Sequence, residues 1–113
     1  MKLSERCETE EASDKLDAAL AEALGWRQYR ILGRSRWMSP QGFPASVAPS
    51  FTHNLQHAFD AIPPGWVLLS LSEMWGDGQR FARIATVDGV AEGLAGRSLP
   101  LTLMSAVMRA VGQ

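Results

Sequence analysis

The chain of 113 residues predicts one α+β domain, a thin antiparallel sheet of about three strands with about three helices on its faces. Two observations carry that reading. Apolar residues recur at helical spacing in three separate segments, and between those segments lie runs rich in aromatic and branched residues, bounded by glycine, that favour strands.

Residues 1–12 are acidic and poor in apolar anchors, so they are expected to be disordered, leaving 13–113 as the folded unit. Ser13 is a credible N-cap for the first helix, with Asp14 and Asp17 in the turn where the helix dipole favours acids. Leu16, Ala19, Leu20, Ala23 and Leu24 form its apolar stripe, and Gly25 stops it. Trp26–Leu32 reads as a short strand. Residues 33–49, with Gly33, Pro40, Gly42, Pro44 and Pro49, predict a long loop of the kind that is usually functional or mobile, with Trp37, Met38, Phe43 and Val47 laid across the surface.

A second helix is expected from about Thr52 to Ile62, capped by Thr52, with Leu55, Ala58, Phe59 and Ile62 buried and Pro63-Pro64-Gly65 ending it. Trp66–Trp75 and Phe81–Val87 read as strands joined at Gly76-Asp77-Gly78, with Val67, Leu69 and Leu71 on one buried face. Asp88-Gly89, Gly93 and Gly96 predict a loop. Ser98 caps a last helix, Leu99–Val111, with Pro100 in its first turn. Only Thr102, Ser105 and Arg109 interrupt its apolar surface. Such a helix needs cover on more than one side, so it lies between core layers or completes a homodimer interface.

Charge is unevenly distributed. Residues 1–25 hold seven acids and three bases, a net −4, whereas residues 26–59 hold four arginines and no acid, a net +4. The overall charge of −1 argues against a general polyanion binder, but such asymmetry steers a partner to one face. A single cysteine, Cys7, excludes a disulfide framework and a cysteine-based zinc cluster. The opening residues hold no apolar run of signal-peptide type, and Leu99–Val111 is too short to span a bilayer, so a cytoplasmic protein without membrane contact is expected.

Candidate chemistry is sparse. His53 and His57 stand four apart with Asp60 a turn further on, a spacing that can seat a divalent metal. Position 54 is Asn, however, and no general-base glutamate follows His53. The three fall opposite the Leu55/Phe59/Ile62 stripe, so they read as a solvated face, with no metal or other cofactor. The Gly76-Asp77-Gly78 run lacks the third glycine of a dinucleotide fingerprint, and no Walker-type or Gly-x-Ser-x-Gly sequence occurs. Cys7, in an acidic segment, is expected to have a raised pKa and poor nucleophilicity. The first helix presents its carboxylates on a solvated face. The reading is therefore non-enzymatic.

One block stands out. Trp26–Trp37 packs Arg27, Arg30, Arg34 and Arg36 among three aromatics without an acid. Arginines bind phosphates bidentately and aromatics stack bases, but Arg and Trp are also enriched at protein–protein hot spots. Trp26, Trp66 and Trp75 read as core residues at strand ends, and Trp37, in the expected loop, as the better contact residue. The candidate binding residues are thus Arg27, Arg30, Arg34, Arg36 and Trp37.

Three stretches resemble the phage αβα-sandwich ("ABA sandwich") domain, a group of small phage and prophage proteins. They are Leu24-Gly25-Trp26-Arg27 followed by Trp37, Pro40 and Gly42; Pro49–Phe59 entering an Ala-containing helix; and the Leu-Pro-Leu-x-Leu/Met helix after a segment with Trp75 and Phe81. The chain departs from the pattern at His53-Asn54, where the family tends to have Thr-Asp, and at Phe59, where Trp is usual. The resemblance implies a three-layer αβα sandwich of phage or prophage origin and supplies no activity. The resulting expectation is an accessory protein in the bacterial cytoplasm that binds a host or phage protein, modulating or inhibiting a host factor. The alternative is nucleic-acid binding through residues 26–37.

Overall fold

The computed structural model describes residues 1–73, 79–94 and 96–113. Trp75 and the Gly76-Asp77-Gly78 turn lie outside them. The fold is α+β, as the sequence predicts, with four helices and two three-stranded antiparallel sheets among the described residues. The elements are α1 (Leu3–Thr9), α2 (Asp14–Ala23), β1 (Arg27–Ile31), β2 (Arg34–Met38), β3 (Pro44–Ala45), α3 (Leu55–Asp60), β4 (Val67–Glu73), β5 (Arg80–Thr86), β6 (Gly89–Leu94) and α4 (Leu99–Ala110).

The core is organised around α4. The Ser98 hydroxyl accepts from the Leu101 amide, which caps the helix as expected. Residues 101–108 are all buried within one chain, between the β4–β5–β6 sheet on one side and α1 and α3 on the other. Of the two alternatives for this helix, the position between core layers is the one observed. A homodimer through Leu99–Val111 has no open face at 101–108 to use. Each fully buried Leu, Met or Val here contributes about 1.5–3 kcal/mol.

The sheet meets α4 through small residues, Ala82, Ala91 and Gly93, opposite Thr102, Ser105 and Ala106. A Cβ at Gly93 would collide with the Thr102 carbonyl oxygen and lie 2.8 Å from the Ala106 amide nitrogen. Glycine is therefore the close-approach residue of a strand, and the expected loop around Gly89 and Gly93 is in fact β6. Its inner residues pair with β5 as Ala82↔Gly93 and Ile84↔Ala91.

The expected buried face of β4 is also corrected. Val67 and Leu69 are 59% and 56% exposed. The β4–β5 register slips between Leu68 and Ser70, so Leu68 pairs with Ile84 and Leu71 with Ala82. A bulge inserts one residue and changes which side chains face inward, and Leu68 and Leu71 are the pair that packs on the core.

Residues 1–12 do not form the expected disordered tail. Leu3 and Cys7, four apart, bring one face of α1 against α4, and Cys7 is fully buried. Seven residues are too few for an isolated helix, so tertiary contacts hold it. The principal one is Glu8. Its Oε2 accepts from Arg109 Nη1 at 2.6 Å, the Leu94 amide at 2.8 Å and the Ser105 hydroxyl at 2.9 Å. Arg109 also donates to the Glu92 carbonyl at 2.7 Å. These side chains occupy outward-facing backbone groups along the free edge of β6.

In α2 the Ser13 cap and the Leu16/Leu20 stripe are as expected. Asp17 departs from the solvated face assigned to it: it is 4% exposed and accepts from Thr52 N and Oγ1 at 2.8 and 2.7 Å. Thr52 is spent on that contact and does not cap α3. Asn54 does, its side chain accepting from the His57 amide.

Candidate binding arm

The long loop expected at 33–49 contains two strands, β2 and β3, with irregular chain between and after them. β1 and β2 pair over Arg27↔Met38, Gln28↔Trp37, Tyr29↔Arg36, Arg30↔Ser35 and Ile31↔Arg34, leaving a two-residue turn at Leu32-Gly33. Both turn residues have positive φ, 52° and 76°, as a type I′ hairpin requires. β3 extends the pairing at Trp37↔Ala45 and Met38↔Pro44. Among the described residues the hairpin has no extensive packing on a helix or on a strand of the second sheet, and the molecule measures 49 Å along its longest axis. It is an arm.

Strand alternation sorts the candidate residues onto two faces. Arg27, Tyr29, Ile31, Arg34 and Arg36 share one face, and Gln28, Arg30, Ser35 and Trp37 share the other. All four arginines are exposed. Arg36 donates to the Ser46 hydroxyl at 3.0 Å. Trp37 is corrected: only 6% exposed, it belongs to the hydrophobic core and anchors the arm. Trp26 and Trp66, as expected, pack partly buried against that core.

Among the described residues, none of Arg27, Arg30, Arg34 and Arg36 has a carboxylate partner. Arg6, Arg80, Arg83, Arg97 and Arg109 each have one: Glu10, Glu73, Glu92, Glu11 and Glu8. The tip adds exposed apolar surface, with Ile31 at 54% and Leu32 at 97%. Leucine in the left-handed region costs of order 1 kcal/mol.

A groove of about 840 Å³ flanks the base of the arm, lined by Trp26, Pro40, Phe51, Ile62 and Pro63, with His57 and Asp60 on its wall. His57 Nδ1 accepts from the Ser50 amide at 2.9 Å, which leaves the ring's other nitrogen carrying the proton of the neutral form. The structure does not bring His53, His57 and Asp60 together as a metal triad. His53 instead faces Asp17, with Nδ1 3.4 Å from Oδ2, and Asp14 completes a group of three possible ligands within 4.8 Å. Sequence spacing gave no sign of this group, because His53 lies far along the chain from Asp14 and Asp17. Asp17 Oδ1 is already held by two hydrogen bonds from Thr52.

Cys7 is no nucleophile. Burial pushes its thiol up to about 12, which is the expected direction through a different cause from the acidic surroundings. For Glu8, burial alone would raise the pKa, but the hydrogen bonds from Arg109, the Leu94 amide and Ser105 outweigh it and hold the carboxyl below its usual range.

Fold and site together define a small α+β domain with a projecting, arginine-bearing hairpin. No helix among the described residues is long and apolar enough to cross a membrane. No protein-family model matches the chain, and no curated protein or solved structure matches it. The resemblance to phage αβα-sandwich proteins therefore rests on Leu24–Arg27, the Trp37, Pro40 and Gly42 spacing, Pro49–Phe59, and Leu99–Val111 after the segment with Trp75 and Phe81.

Proposed function

We propose that this is a non-enzymatic binding protein that engages another protein through the β1–β2 arm. The observation that carries the reading is the arm itself: four exposed arginines without carboxylate partners among the described residues, around a strained and exposed leucine. A partner with an apolar pocket rimmed by acidic side chains fits that mixture. Leu32 and Ile31 fill the pocket, and Arg30 and Arg34 meet the rim. The groove beside Trp26 and Pro40 extends the same contact surface. The phage or prophage setting, and a host bacterial factor as the partner, belong to this reading through the sequence resemblance.

Nucleic acid is the second reading, favoured by one feature: a two-stranded ribbon is narrow enough to enter a major groove. The net charge of −1 and the acidic first 25 residues weigh against it. One experiment separates the two. The intact protein and an Arg34→Glu/Arg36→Glu variant are used to capture partners from bacterial lysate, with and without nuclease. The expected result is a protein retained by the wild type, indifferent to nuclease and lost with the variant. Retention abolished by nuclease, with an affinity falling by roughly one log unit per log unit of salt for each contacted phosphate, selects nucleic acid. Equal retention by wild type and variant removes the arm from both readings.

A further inference from the structure

α4 packs on the face of the β4–β5–β6 sheet that carries Ala82, Ile84, Ala91 and Gly93. The other face carries Val67, Leu69, Ser70 and Ser72 on β4, Phe81, Arg83 and Ala85 on β5, and Val90, Glu92 and Leu94 on β6. Val67, Leu69, Val90 and Leu94 are each more than half exposed. In the middle, Arg83 Nη2 lies 2.9 Å from Glu92 Oε1, and the guanidinium stands 5.3 Å from the Phe81 ring centroid. Contiguous apolar surface around a single ion pair marks a contact site. It is separate from the arm and does not depend on the function proposed for it.

We propose that this sheet face binds a second copy of the chain. The argument is self-complementarity. Across β5 and β6 the outward rungs are Phe81↔Leu94, Arg83↔Glu92 and Ala85↔Val90. Place a two-fold axis parallel to these strands and midway between them, with the two sheets stacked about 10 Å apart. Each rung then lies over its own reverse. Phe81 meets the second copy's Leu94, Ala85 meets its Val90, and Arg83 meets its Glu92. The two ion pairs close into a ring of alternating charge between two apolar layers. A partner of a single charge sign would leave one member of the Arg83–Glu92 pair facing its like, whereas a second copy matches both.

Size sets the strength. With the axis between β5 and β6 only these two strands overlap, and two strands of about seven residues cover roughly 10 by 24 Å at ordinary strand spacing and rise. That footprint is less than half of the roughly 800 Å² per partner usual in stable complexes. The dimer is therefore weak and concentration-dependent, not permanent.

Sedimentation equilibrium on the full chain tests it, with circular dichroism confirming that each variant is folded. The wild type is expected to move from its 12.3 kDa monomer toward twice that mass as concentration rises to about 1 mM, a range set by the small footprint. Arg83→Glu and Glu92→Arg each place like charges across the axis and should abolish the shift. An equimolar mixture of these two variants opposes every charge to its opposite and should restore it. A wild type that stays monomeric throughout, single variants that associate as the wild type does, or a mixture that fails to associate while both variants are folded, each overturns the proposal.

Discussion

In the body of the molecule Arg6, Arg80, Arg83, Arg97 and Arg109 each hold a carboxylate, while on the arm Arg27, Arg30, Arg34 and Arg36 hold none among the described residues. Leucine shows the same contrast. Leu101 and Leu103 are buried beneath helix and sheet, whereas Leu32 stands 97% exposed in a backbone conformation that suits asparagine or glycine better. In the body these arginines are neutralised and the apolar residues of α4 are covered, and its stability follows from both. The arm does neither, so its residues are explained better by something outside the chain than by folding. The difference teaches where substitutions should cost stability and where they should cost binding.

The comparison breaks most visibly at Gly93. Gly93→Ala drives a methyl group into the backbone of α4 and should destabilise the body by about 3 kcal/mol, read as a lower urea midpoint. A midpoint unchanged from wild type would mean that α4 does not sit as close to β6 as described.

Next comes Glu8. Its folded pKa lies below the ordinary carboxylate value, so its stabilisation is complete above about pH 4.5 and is lost as pH falls through the folded value. Glu8→Gln should cost about 2 kcal/mol at pH 7, because it weakens a charged hydrogen-bond cluster joining α1, β6 and α4. The variant should also lose part of the acid dependence of its unfolding free energy. Parallel acid limbs for the two proteins would assign that dependence to other carboxyls.

The smallest effect is the sharpest for the comparison. Leu32→Asn should raise stability by about 0.5–1 kcal/mol, since asparagine accepts the left-handed turn more readily. The same change should weaken partner capture. A variant that is both more stable and as well retained would show that the tip leucine contributes nothing to binding.

How much of this was legible in the sequence depends on the range of the interaction. The caps at Ser13 and Ser98 and the Leu16/Leu20 pair of α2 are local, set by neighbours three or four positions away, and are legible in the sequence; Ala21, also buried, is not. The four arginines were also picked out by composition alone. Their arrangement on two faces was not, because the glycines and prolines of 33–49 masked β2 and the Leu32-Gly33 turn lacks an Asn-Gly signature. The same masking makes Trp37 read as a surface residue, whereas it is buried in the core. β6 was missed because Gly93 resembles loop punctuation until the helix above it is known. The Asp17–Thr52 contact and the Glu8 cluster join positions 35 and up to 101 residues apart, a separation at which no periodicity reports.

The hydrogen-bonding positions that Glu8 and Arg109 fill on β6 have one more consequence. An uncovered strand edge is a template on which further strands, and eventually fibrils, can grow. Here the Leu94 amide and the Glu92 carbonyl are already taken by side chains of the same chain. Growth by backbone pairing is blocked at those positions, and recognition there is left to side chains, whose identity can be selective where a bare backbone cannot.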